Sequence, residues 1–205
     1  LEEALIVNDP AERRRLMLSM LTEEPDAYLA QLQAAKLNDD VEVAHYAATA
    51  VAQISKESDL KLQQLERAFK TDPSAQNLNK YCDFLGEYLG SGLAEGRVAQ
   101  IQRQQYARLL ARRCEREDTL ELRIRYASAL ADVGQIDEAQ AVTDQLVLDV
   151  PDEQEVWMLC LRLAVMRRDG EEVHRVIDAI DKQHVYLSAD NREQLAFWRD
   201  GEEAR

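Results

Sequence analysis

Glycine and proline are scarce, with seven and four in 205 residues. A chain of many tight turns needs both, so their scarcity argues against a β-sandwich and for long helices. Strictly alternating β-branched runs are missing too, which removes the period-two signal of a half-buried strand. The cysteines Cys82, Cys114 and Cys160 lie far apart, without a CxxC or a metal-ligand spacing. Each sits in an apolar helical context, which predicts buried thiols in a reducing compartment. The histidines His45, His174 and His184 are scattered. HExxH, GxSxG and P-loop patterns do not occur. Gly90-Ser91-Gly92 with Gly96 has neither the spacing nor the preceding strand of a dinucleotide fingerprint. No catalytic residue, metal ligand or cofactor is therefore assigned. A run of about 18 apolar residues is also absent, so this segment is not expected to insert into a bilayer. The chain begins at Leu1 without a methionine or a signal-peptide pattern. That fits a domain excised from a longer protein, with any membrane anchor outside it.

What is present is charge. There are 39 acidic residues against 25 basic ones, a net charge of −14. Such a field repels phosphate backbones, so a nucleic-acid partner is not expected. It equally disfavours broad contact with an anionic membrane surface. A basic patch on a protein partner is attracted and steered instead. Most of the carboxylates read as solvated helix faces. Hydrophobic residues make up 46% of the chain, ample for a core.

The chain is organised around residues 120–153. Apolar residues recur there at three and four, first Tyr126, Leu130 and Val133, then Ile136, Ala139, Val142 and Leu146. Gly134 breaks the pattern, as a residue able to turn left-handed at a helix end. Asp137-Glu138 opens the next helix at its electropositive end, and Pro151 stops it. The spacing predicts a helix–turn–helix unit closed by proline.

This unit resembles a tetratricopeptide repeat, on Tyr126, Ala127, Leu130, Gly134, Ala139 and Pro151. Arg123 stands where that family has tryptophan. A second copy 34 residues on places Trp157 at the tryptophan position and Val173 at the alanine of the second helix, with the glycine displaced to Gly170. The resemblance implies that the first helix of each unit lines a concave groove. Its positions fall on Glu121, Ile124, Ser128, Ala131 and Asp132, then on Glu155, Met158, Arg162, Val165 and Met166. Of these, Ile124, Ser128, Met158, Arg162, Val165 and Met166 are the candidate partner-binding residues.

The rest of the chain reads as further helices. Asp9-Pro10-Ala11-Glu12 is a start signal for a helix to about Thr22, and Pro25 opens a second with Tyr28, Leu29, Leu32 and Ala35. Asn38-Asp39-Asp40 caps an alanine-rich helix that resembles the second helix of a HEAT-like repeat, with His45 read as a core or interface residue. The helix either breaks near Ser55–Ser58 or runs on through Leu60, Leu62, Leu65 and Phe69 to Lys70. Another carries Leu78, Tyr81, Cys82, Leu85 and Tyr88 and ends at Gly90-Ser91-Gly92. A helix of roughly 94–116 places Val98, Ile101, Tyr106, Leu109 and Leu110 on its apolar face. The last helix, capped by Ser188, offers Leu195, Phe197 and Trp198 to cover the end of the stack.

The expected architecture is all-α: a right-handed α-solenoid of helical hairpins, HEAT-like then TPR-like. Its parts are a HEAT-like stretch (1–73), a long hairpin (74–118), two repeat units (119–187) and a capping helix with tail (188–205). This order, on residues 38–54, 60–73, 81–93 and the repeats, is similar to the E-subunit family of the bacterial Pel exopolysaccharide machinery. The resemblance implies a non-catalytic protein-interaction scaffold, cytoplasmic and tethered to the inner membrane through a region outside this segment. Its implied partners are other protein subunits, such as a glycosyltransferase or membrane subunit of a polysaccharide synthase. The alternative is a regulatory or chaperone-like repeat module with a small-ligand pocket.

Overall fold

The computed structural model describes residues 28–200. The helix read at 9–22, the start at Pro25 and the tail from Gly201 lie outside them. Every regular element among the described residues is an α-helix: α1 (Leu29–Ala35), α2 (Val41–Thr71), α3 (Ala75–Gly90), α4 (Gly96–Cys114), α5 (Leu120–Asp132), α6 (Ile136–Asp149), α7 (Gln154–Arg167), α8 (Gly170–Lys182) and α9 (Ala189–Asp200). The all-α expectation holds. Helices adjacent in sequence pack on one another: α1 on α2, α2 on α3, α5 on α6, α6 on α7 and α7 on α8. The chain divides into two compact units, with the boundary inside α4 at residues 99 and 100.

In the first unit α2 is one unbroken helix of 31 residues. Neither glycine nor proline interrupts positions 41–71, so no N–H is lost and Ser55–Ser58 stays helical. The Asp40 carboxylate caps it by accepting from the amides of Glu42 and Val43. Its first half buries Val43, Ala47, Ala50 and Ile54 against Leu32 and Ala35 of α1. Its second half buries Leu62 and Phe69, and α3 buries Leu78, Tyr81, Cys82, Leu85 and Tyr88. Leu60 is half exposed instead, and His45 lies on the solvent side of α2, not in the core. Ser74 caps α3 through the Asn77 amide.

Tyr88 carries a titration consequence. Its hydroxyl donates to the Asp59 carboxylate at 2.7 Å. Burial, then that hydrogen bond and charge, push its pKa up to about 12. The folded protein holds this proton more tightly than an unfolded tyrosine, whose pKa is about 10. The stabilisation is therefore complete below about pH 10 and is lost between about pH 10 and 12. Phenolate absorbance should show one tyrosine ionising near pH 12 in the native protein, absent in Tyr88→Phe. Ionisation of every tyrosine near 10 would contradict this.

The second unit repeats itself in its helix ends. Thr119 caps α5 and Glu153 caps α7, and the starts of α6 and α8 are likewise 34 residues apart. At the end of α5, Gly134 is left-handed (φ +81°), its amide bonded to Ala131 and that of Gln135 to Leu130. This is the paired-bond helix stop that glycine favours. At the end of α7 the left-handed residue is Arg168 (φ 57°), with the same two bonds to Val165 and Ala164. Gly170 is thus not the displaced turn residue, for it begins α8. Arg168 bears the strain that Gly134 avoids, and is exposed. Arg168→Gly should accordingly stabilise by about 1 kcal/mol, read as a raised denaturation midpoint, while Gly134→Ala should lose a similar amount.

Two clusters of buried residues lie among the described residues of this unit. Ala127, Leu130, Ala131 and Ala139 meet Leu159 and Leu163 in one. Trp157, Cys160, Leu161 and Ala164 meet Val173, Val176, Ile177 and Ile180 in the other. The Trp157 indole N–H donates to the Pro151 carbonyl at 2.7 Å. Arg123, 34 residues earlier, pairs with Asp149 instead, at 2.6 Å.

Some expected packing differs. Val98 and Ile101 are both 56% exposed, and Ala99, Ala107, Leu109 and Leu110 are the buried residues of α4. Ser188 does cap α9, through the Asn191 amide. Leu195 and Trp198 pack against the C-terminal cluster, but Phe197 is 70% exposed and covers nothing. Its ring meets only the edge of Trp198 among the described aromatics. Cys82 and Cys160 are buried, whereas Cys114, at the last turn of α4, is half-buried.

A candidate partner-binding face on α5 and α7

The candidate residues sit on two adjacent helices. Ile124 and Ser128 are one turn apart on α5, and Met158, Arg162, Val165 and Met166 form the matching stripe on α7. α5 touches α7 directly as well as through α6. The Arg162 guanidinium pairs with the Asp132 carboxylate, which places the two stripes side by side. A second bridge joins Arg167 to Asp137 in the first turn of α6, at 2.9 Å.

Exposure sorts these residues. Arg162 is exposed, and Met166 is 42% accessible. Ile124 and Ser128 are half-buried. Met158 and Val165 are half-buried because they pack against the C-terminal cluster. Ala131 is 1% exposed and belongs to the core with Leu159 and Leu163, so it leaves the groove set. A small side chain there lets two helices approach closely, which removes it from solvent. Glu121, Asp132 and Glu155 are exposed on the same helices. The face is thus apolar in patches and mostly acidic at its edges, with Arg162 as a cation among carboxylates.

Sequence reasoning missed the ion pairs 30 residues apart that tie α7 to α5 through Asp132 and to α6 through Asp137. Opposite charges at that spacing have no local signature. Tyr81 and Tyr88 are 2% and 5% exposed, so they form core. The Tyr106 oxygen accepts from Arg125 of α5 at 2.8 Å.

Among the described residues no group of three His, Cys, Asp or Glu side chains is placed to hold a metal ion. No described helix is long and apolar enough to cross a membrane. Burial is the first cause of the raised pKa values of Tyr88, the half-buried Tyr126 and Cys160, and it favours their neutral forms. Fold and face together define an all-helical protein whose helices pack neighbour to neighbour. Comparison with family models, curated proteins and solved structures found no match to this chain.

Proposed function

We propose that the protein is a non-catalytic interaction scaffold, with α5–α6 and α7–α8 as two tetratricopeptide-like units of a right-handed solenoid. The inner face of α5 and α7 binds a segment of a partner subunit. The observation that carries this reading is the Asp132–Arg162 bridge between α5 and α7, with Met158, Val165 and Met166 within about one turn of Arg162 on α7. A few anchors that become fully desolvated on binding, arginine often among them, dominate interface energy. On the resemblance of the whole chain, the partner is a glycosyltransferase or membrane subunit of an exopolysaccharide synthase. The segment then works in the cytoplasm, held at the inner membrane from outside this stretch.

The test uses residues whose change leaves the core alone. Glutamate at Met158 or Val165 would disturb the cluster they pack on, since a buried unpaired charge is costly. Arg162→Glu with Met166→Glu changes only exposed side chains. Titration with purified cytoplasmic segments of such a synthase should show at least a tenfold loss of affinity for the double variant. Asp178→Asn, exposed on α8, should bind like the wild type. Unchanged binding by a folded double variant would move the partner to another surface.

The alternative, a regulatory module with a small-ligand pocket, draws on a cavity of about 380 Å³ beside Ala107, Arg108, Tyr126, Leu130 and Glu138. Its walls already hold a cation and an anion.

A further inference from the structure

A second groove lies on the other side of α7. Trp157 and Cys160 of α7 form its floor with Val176 of α8, and all three are at most 7% exposed. On a helix, 100° per residue puts Trp157 and Cys160 on the opposite side from Arg162 and Met166. α6 contributes Asp144 and Leu148, the latter 74% exposed at the rim, and α8 contributes Glu172. The half-open space is about 330 Å³, the scale of one or two large side chains.

We propose that this groove docks a partner-protein segment that presents an apolar anchor next to a lysine or arginine. The proposal does not rest on the inner face of α5 and α7. The floor of indole, thiol and valine favours an aliphatic stem, because filling it removes apolar surface from water on both sides. The rim selects the charge. Asp144 accepts only from the neutral amide of Gln140, at 2.7 Å, among the described residues. Glu172 is neutralised by Arg175 at 2.7 Å, so one negative charge is left uncompensated. Both carboxylates reach the floor electrically: after burial, they are the next causes of the raised Cys160 pKa, Asp144 before Glu172. A neutral segment would desolvate Asp144 without replacing its water, and an acidic one would be repelled. A basic one compensates it and is steered in by a net charge of −14. The cavity beside Tyr126 differs, because its lining carries both a cation, Arg108, and an anion, Glu138.

The experiment reads the floor directly. Trp157 and Trp198 are the chain's two tryptophans, so Trp198→Phe leaves Trp157 as the sole indole. In that background the full chain is titrated with a synthetic amphipathic peptide carrying leucines on one face and lysines along its flanks. A saturable change in Trp157 emission is expected. Asp144→Lys, at an exposed position, should weaken the peptide at least tenfold. Arg162→Glu with Met166→Glu should leave it unchanged, which separates this groove from the inner face. The proposal is overturned by any of four results: no saturable change, equal binding of a glutamate-for-lysine peptide, equal binding of a leucine-free lysine peptide, or wild-type affinity in Asp144→Lys.

Discussion

Trp157→Ala should lose roughly 3–5 kcal/mol of stability, the range for deleting a buried aromatic side chain. The indole is 5% exposed at the heart of the C-terminal cluster, where α7 meets α8. Its removal opens a cavity that α8 can close only by shifting Val173 and Val176. It also strips the Pro151 carbonyl of its donor, which sits at 2.7 Å. Trp157→Phe isolates the second effect and should lose about 1 kcal/mol beyond its smaller volume change. The contrast lies one period earlier. Arg123→Ala removes a partly exposed ion pair to Asp149, and such pairs contribute about 0–1 kcal/mol. Urea denaturation followed by far-ultraviolet circular dichroism checks all three. A loss below about 1 kcal/mol for Trp157→Ala would mean that α7 and α8 are not held through this residue.

Ala139→Leu should destabilise by roughly 1–3 kcal/mol, through overpacking. Ala139 is fully buried where α6 faces α5, among Ala127, Leu130 and Ala131, with Leu159 and Leu163 of α7 in the same cluster. Its carbonyl accepts from the buried Thr143 hydroxyl one turn on in the same helix, at 2.7 Å, and its methyl is fully enclosed by neighbours. The added carbons must therefore push α5 or α7 aside. Ala141→Leu, two residues on and exposed, should stay within about 0.5 kcal/mol of wild type. Equal melting temperatures for the two variants would mean that the inward face of α6 is misassigned.

Much of this architecture was legible in the residues. The three-and-four spacing of Tyr126, Leu130, Ile136, Ala139, Val142 and Leu146 encodes two amphipathic helices, whatever packs on them. Asp40, Ser74 and Ser188 cap helices because a short oxygen-bearing side chain ahead of an apolar run meets free amides. Gly134 turns left-handed because only glycine does so without strain. Those are local properties, and the sequence by itself determined them, together with the all-helical class and the acidic surface.

Tertiary structure decided what depends on neighbours distant in the chain. Residues 55–58 could begin a turn or continue a helix. Packing of α2 against α1 at one end and α3 at the other keeps it helical throughout. Arg168 replaces glycine in a left-handed turn because α8 must fold back onto α7, and burial of Val173, Val176, Ile177 and Ile180 outweighs a strain of about 1 kcal/mol. Val98, Ile101 and Phe197 carry an apolar pattern but find no covering neighbour among the described residues, so they stay exposed. The resemblance to a tetratricopeptide repeat implied a groove position for Ala131, and proximity to Leu159 and Leu163 makes it core. Periodicity fixes which side of a helix is apolar. Only the placement of the next helix decides how much of that side meets protein and how much is left for a partner.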